Sequence, residues 1–113
     1  MELYEELEKK LRQLEASIKS LRKTGTEYAQ CEMDYKVLLR QEVLKLRDEG
    51  TAIGIITLIC YGIPSVAKAR FKRDVSEVLY TANKEAIQAV KLQLRLIESQ
   101  IQREYGIAGK GDI

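Results

Sequence analysis

Residues 50–65, GTAIGIITLICYGIPS, decide the fold because they separate two long stretches of helical pattern. The segment contains no charged residue, and it is too short for the roughly 20 apolar residues of a membrane-spanning helix. Gly50 is expected to end the preceding helix in a left-handed conformation. Gly62 and Pro64 are expected to end a short helix of two to three turns and to let the next one begin.

This central segment turns apolar residues to almost every side when it is drawn as a helix. We therefore expect it to be buried, either under the long helices or against another subunit, with Thr51 as its N-cap. Cys60 is expected to be a buried small hydrophobe. A buried strand over residues 51–61 is the alternative, but a lone strand leaves both of its edges unpaired.

An amphipathic pattern before the centre predicts one long helix, with a weak point or bend near Gly25, since glycine in a helix costs about 1 kcal/mol relative to alanine. A second pattern predicts a helix from about Ser65 to Gly106. The first apolar stripe is Leu3, Leu7, Leu11, Leu14, Ile18 and Leu21, continued by Tyr28, Cys31, Tyr35, Leu38, Leu39, Val43 and Leu46. The second is Val75, Leu79, Ala82, Ala86, Val90, Leu94, Ile97 and Ile101.

These patterns predict an all-α protein, an antiparallel hairpin of two long helices with a short apolar helix at the connection. Residues 1–105 would form this single domain, and residues 106–113 a flexible tail. Leu92 and Leu96 lie beside the second stripe, so the chain has more apolar surface than one hairpin buries. Self-association into a homo-oligomeric helical bundle is therefore expected.

The composition excludes most catalytic chemistry. The 113 residues include no His and only two Cys, which excludes ordinary zinc sites and His-dependent nucleophiles and predicts a protein that is not an enzyme and needs no metal or cofactor. Two distant cysteines suit a reducing compartment, so the expected location is the cytoplasm, with no membrane partner. The net charge is only +2, and nucleic-acid binding is possible but less favoured.

A group of Arg and Tyr residues gathers near the connection if the two helices pair in the register that the connection suggests. That register places Tyr35 opposite Leu79 and Tyr80, and Arg40 opposite Asp74. Arg supplies forked donors to phosphate, and Tyr supplies a flat face for a base or ribose. The alternative is an Arg40–Asp74 ion pair among ordinary core tyrosines. The candidate ligand-binding residues are Tyr35, Arg40, Arg47, Tyr61, Lys68, Arg70, Arg73, Tyr80 and Asn83.

The stretches LLRQE, KLRDEG, YGIP and RFKRDV resemble those of small helical proteins encoded by phages and prophages of Firmicutes, and the resemblance covers nearly the whole chain. Early phage proteins of this size include anti-defence sponges, which are non-enzymatic homo-oligomers that capture cyclic or ADP-ribose-type nucleotide signals. The resemblance implies such a role in the host cytoplasm, and no pocket residue is carried over from any known sponge.

Three functions are open on this basis. The first is capture of a nucleotide immune signal by a homo-oligomer. The second is a recombination or replication accessory that binds DNA through residues 67–74, AKARFKRD. The third is an inhibitor that lays a helix face on a host defence enzyme.

Overall fold

A computed structural model describes residues 2–106, and every regular element in that range is a helix. The elements are α1 (Glu2–Asp48), α2 (Ile53–Tyr61), α3 (Pro64–Ile101) and a π-helical turn (Gln102–Gly106). The all-α prediction is confirmed, and the strand over residues 51–61 is excluded. Within the described range no single helix is long and apolar enough to cross a bilayer; only α2 and α3, taken as a bent pair, meet the requirements of length and composition.

The end of α1 follows the expected glycine signal. Gly50 has φ +85°, and its N–H donates to the carbonyl oxygen of Arg47 at 3.1 Å. The N–H of Thr51 reaches back to Leu46 O at 3.0 Å. These two bonds form a Schellman motif, which satisfies carbonyls that the end of a helix leaves without partners.

The start of α2 differs from the expectation. Ala52, not Thr51, is its N-cap, and no side chain makes a capping hydrogen bond there. The prediction of Thr51 as the N-cap is wrong because the backbone N–H of Thr51 belongs to the Schellman motif that ends α1. Gly62 then closes α2, and Pro64 opens α3, where its missing N–H costs nothing.

Gly25 does not interrupt α1, which stays helical from Thr24 to Thr26 and beyond. A Cβ atom at position 25 would lie 3.1 Å from Cε1 of Tyr80, closer than an ordinary carbon–carbon contact of about 3.5 Å. The glycine therefore makes room for a tyrosine ring.

The chain divides into two compact units. Unit 1 comprises residues 1–22 and 82–113, of which 2–22 and 82–106 are described, and unit 2 comprises residues 23–81. The prediction of one domain over 1–105 stays a prediction. Of the predicted tail, Gly106 belongs to the π-helical turn, and residues 107–113 lie outside the described range.

Unit 1 is built on a strict alternation of three- and four-residue steps, the spacing of a coiled coil. Its less exposed positions on α1 are Leu3, Leu7, Lys10, Leu14, Ser17 and Leu21, and those on α3 are Asn83, Ile87, Val90, Leu94, Ile97 and Ile101. Nδ2 of Asn83 donates to the carbonyl oxygen of Ser17 at 3.1 Å, and the rings of Tyr4 and Tyr105 lie 6.0 Å apart. Both contacts join α1 to α3 within the unit.

Unit 2 follows the same spacing. Its seam, the line of less exposed residues along which α1 and α3 pack, is more polar than that of unit 1. The less exposed positions on α1 here include Thr24, Tyr28, Cys31 and Tyr35, followed by Leu38, Leu39, Val43 and Leu46, and those on α3 are Val66, Ala69, Arg73, Ser76 and Tyr80. The buried Ser76 hydroxyl donates to Lys72 O at 2.8 Å, and Ser76 Oγ lies 3.3 Å from Cys31 Sγ. The hydroxyl is thus satisfied inside the seam, as a buried polar group must be.

The first predicted stripe follows the less exposed positions except at two residues, whereas the first half of the second stripe misses them. Leu11 and Ile18 are exposed, while Lys10 and Ser17 take the inward positions; Val75 and Leu79 are exposed likewise. A search for apolar residues misses a seam that accepts Ser, Asn and Lys, because hydrophobicity alone selects the neighbouring row.

The alternative that α2 is buried under the long helices is wrong, and its burial against another subunit stays a prediction. Only Ile56 and Cys60 are buried, and Cys60 is 0% exposed, as expected for that residue. The remaining apolar side chains of α2 are exposed, with Ile53 at 79% and Leu58 at 73%. This part of unit 2 presents an uncovered apolar surface.

Candidate functional site

Arg73 is held inside unit 2 and is structural. Its guanidinium lies 4.6 Å from the centre of the Tyr35 ring, and its Nη2 and Nε donate to Asp74 Oδ1 at 2.7 and 3.0 Å. The hydrogen bonds to Asp74 raise the pKa of Arg73. Tyr35 is buried, and the charge of Arg73 is already paired with Asp74, so neither residue offers an open binding surface for a ligand. Asp74 thus pairs with Arg73 in place of the expected Arg40.

Arg70, one helical turn before Arg73, is in a different situation. Its guanidinium lies 4.7 Å from the centre of the Tyr61 ring, and both residues are exposed. Among residues 2–106 no carboxylate lies within ion-pair distance of Arg70. Arg70 and Tyr61 therefore offer what phosphate and a planar base require: unpaired forked donors next to an aromatic face. We call this pair the Arg70–Tyr61 platform.

The aromatic pairing in unit 2 corrects the register. Tyr80 stacks on Tyr28, with ring centres 5.8 Å apart, and not on Tyr35. The segments are shifted by seven residues along α1 from the expected pairing, about two helical turns. Burial raises the pKa of the Tyr28 hydroxyl, and the nearby carboxylates of Glu32 and Glu77 raise it further.

The other candidate residues do not complete a pocket. Arg40, Arg47 and Lys68 are exposed residues of unit 2, whereas Asn83 belongs to unit 1, where it bonds to Ser17 O. Lys68 lies two positions before Arg70, which places the two on opposite sides of α3, since each residue turns the helix by about 100°. The basic stretch of α3 therefore does not converge on one ligand.

The described residues hold no group of three or more Cys, Asp or Glu side chains that fits a metal ion. An open groove in unit 1 is lined largely by Glu2, Glu5, Glu6 and Glu104, which would repel a phosphate. The acidic residues thus add neither a metal centre nor an anion site to unit 1.

Three residues that matter in unit 2 were missed as contact residues from the sequence. Gly25 and Ser76 were not assigned an inward role, and Tyr28 was not expected to meet Tyr80. The available signal was the three–four alternation itself: steps of three and four from Val66 pass through Ala69 and Arg73 and reach Ser76 and Tyr80, whatever their polarity.

Comparison of the chain with protein-family models, with curated proteins and with solved structures finds no match.

Proposed function

We propose that this is a non-enzymatic phage anti-defence protein that captures a nucleotide-type immune signal, such as a cyclic nucleotide or an ADP-ribose derivative. The observation that carries the proposal is the Arg70–Tyr61 platform, an exposed arginine with no carboxylate partner lying over an exposed tyrosine ring. The resemblance to small phage proteins supports the anti-defence setting in the host cytoplasm.

Assembly into a homo-oligomer is part of this proposal. One platform supplies one guanidinium and one ring, too little for tight binding of a ligand that carries two phosphates. An antiparallel hairpin that associates with further copies would bring several platforms around one ligand, so each subunit needs only one. The exposed Val78 and Leu79 of α3 support such association.

Isothermal titration with cyclic dinucleotides and ADP-ribose derivatives tests the proposal. We expect binding heat with the wild-type protein, and a loss of affinity of at least tenfold in Arg70→Ala and in Tyr61→Leu. Arg12→Ala, which removes an exposed arginine of α1, is the matched control and should bind like the wild type. Absence of heat with every ligand of both classes, from a folded wild-type protein, refutes nucleotide capture.

A protein partner is the second candidate, favoured by a row on α3. Phe71, Val75 and Val78 follow one another at steps of four and three, and all three are exposed. Such a row is what a helix needs to lie along another apolar helix. Pull-down from host lysate, with Phe71→Ser/Val78→Ser as the test variant and Leu92→Ser as the control, separates a host partner from self-association alone.

DNA binding remains the third proposal, through the exposed Lys68 and Lys72, which lie one turn apart on α3. It predicts a mobility shift with single- or double-stranded DNA at about 50 mM salt that disappears as salt rises. A shift that persists in Lys68→Ala/Lys72→Ala would show that these two residues do not carry it.

A further inference from the structure

Helix α2 carries exposed apolar side chains that nothing in unit 2 covers. Ile53, Ile55, Leu58 and Ile59 are exposed, and no residue from Gly50 to Ala67 carries a charge. In water this exposure is costly, and exposed apolar patches mark binding sites for proteins or membranes. The question is which of these occupants fits the surrounding charges.

The charges that flank α2 are predominantly positive. Residues 45–73 contain six basic side chains and two acidic ones, Asp48 and Glu49, a net charge of +4. On the α3 side no acidic residue occurs before Asp74. The basic residues are Lys45, Arg47, Lys68, Arg70, Lys72 and Arg73. Of these only Arg73 is neutralised by an ion pair in the described chain, with Asp74.

We infer that α2 inserts into the surface of an anionic lipid bilayer, with Lys68 and Lys72, which lie on one side of α3, on the headgroup phosphates. An uncharged apolar segment between basic residues suits the interface of an anionic membrane, and Tyr61 and Phe71 supply the aromatic residues typical of that depth. A second copy fits less well, because pairing two such surfaces brings two groups of positive charge together. This inference departs from the sequence-based expectation of no membrane partner, and it does not rest on nucleotide capture.

The relative sizes of the apolar and the electrostatic contributions to binding decide what kind of membrane is bound. One myristoyl chain gives an association constant of only about 10⁴ M⁻¹, which is marginal and reversible. Four partly exposed aliphatic side chains offer an apolar contact of similar scale, so α2 alone does not hold the protein on a neutral bilayer. Each basic residue near an anionic surface raises partitioning roughly fivefold. Binding should therefore require anionic lipid.

Flotation of the full chain with vesicles tests this directly. The wild-type protein should float with vesicles of phosphatidylcholine plus phosphatidylglycerol and stay in solution with phosphatidylcholine alone. Raising the salt from about 0.1 M to 1 M shortens the Debye length from about 10 Å to 3 Å and should release it. Equal binding to both lipid mixtures, or no binding to either, overturns the inference without any variant being needed.

Substitutions then assign the binding to α2. Ile53→Ser/Leu58→Ser should lower partitioning at least about 50-fold, because both side chains are mostly exposed and would be buried in the bilayer. Leu92→Ser/Leu96→Ser, which removes two exposed leucines of α3 in unit 1, is the matched control and should partition like the wild type. Lys68→Ala/Lys72→Ala should lower partitioning roughly 25-fold, because each of the two charges contributes a factor of about five. Equal loss in the control overturns the assignment to α2.

Two further readouts separate this inference from its rivals. Arg70→Ala should lower nucleotide affinity at least tenfold while lowering vesicle binding at most about fivefold, so the two proposals fail independently. Sedimentation equilibrium without lipid reports self-association. If the wild-type protein is an oligomer that Ile53→Ser/Leu58→Ser dissociates, α2 is a subunit interface and the membrane inference is overturned.

Discussion

The contact between Gly25 and Tyr80 allows a quantitative test of packing in unit 2. Gly25→Ala improves helix propensity by about 1 kcal/mol, but it places a Cβ atom 3.1 Å from Cε1 of Tyr80. Overpacking of this kind costs about 1–3 kcal/mol. The ring also stacks on Tyr28, which restricts its movement away from position 25. The net effect of Gly25→Ala should lie between about 0 and 2 kcal/mol of destabilisation.

A double-mutant cycle with Tyr80→Ala isolates the contact. Once the ring is removed, Gly25→Ala should stabilise the protein by about 1 kcal/mol, so the coupling energy between the two sites should be about 1–3 kcal/mol. Urea unfolding followed by the helical circular dichroism signal measures all four proteins. Gly54→Ala is the control, since nothing lies within 4 Å of its added Cβ, and it should stabilise by up to about 1 kcal/mol.

The result that refutes this reasoning is a Gly25→Ala variant as stabilised as Gly54→Ala, with a coupling energy within about 0.5 kcal/mol of zero. Gly25 would then be an ordinary helix glycine, and Tyr80 would not press on it. A coupling energy of the opposite sign would show that the added methyl group improves the contact with the ring.

Three further predictions concern single residues. Gly50→Ala should destabilise by about 1–2 kcal/mol, because φ is +85° there and nothing else hinders a methyl group; urea unfolding checks it, and no loss contradicts it. Asn83→Ala should cost about 0.5–1.5 kcal/mol through its bond to Ser17 O, measured in the same way, with Gln88→Ala as an exposed control. The pKa of Tyr28 is raised in the folded protein, so its stabilising contribution is complete below the ordinary pKa of about 10 and is lost at higher pH. Tyr28→Phe should therefore unfold less readily than the wild type in alkali. Equal unfolding of the two proteins in alkali contradicts this assignment.

The helix boundaries were predictable because their signals are local. Gly50 and Pro64 act through their own backbones, whatever lies across from them. The register was not predictable in this way. It depends on which of two adjacent rows faces inward, and here the inward row includes Lys10 and Ser76, which an apolar search rejects.

The candidate site was predictable only as a set of residue types. The sequence identified both arginines of the Arg–Tyr stacks, but it could not show that Asp74 occupies Arg73 and leaves Arg70 without a carboxylate. Which arginine is paired depends on the side-chain rotamers and on where each residue lies relative to the seam. The exposure of α2 was missed for a related reason: an uncharged segment is usually core, and only the fold shows whether anything covers it.

The two cysteines provide a built-in reporter of how unit 2 opens. Cys31 and Cys60 are both free and buried, one in α1 and the other in α2, and a thiol reacts with a labelling reagent only when it reaches solvent. The rate at which each sulfur is alkylated therefore measures the opening of its own helix. If α2 detaches before the seam separates, Cys60 will be modified while Cys31 is still protected, and the order of events can be timed on the unaltered protein.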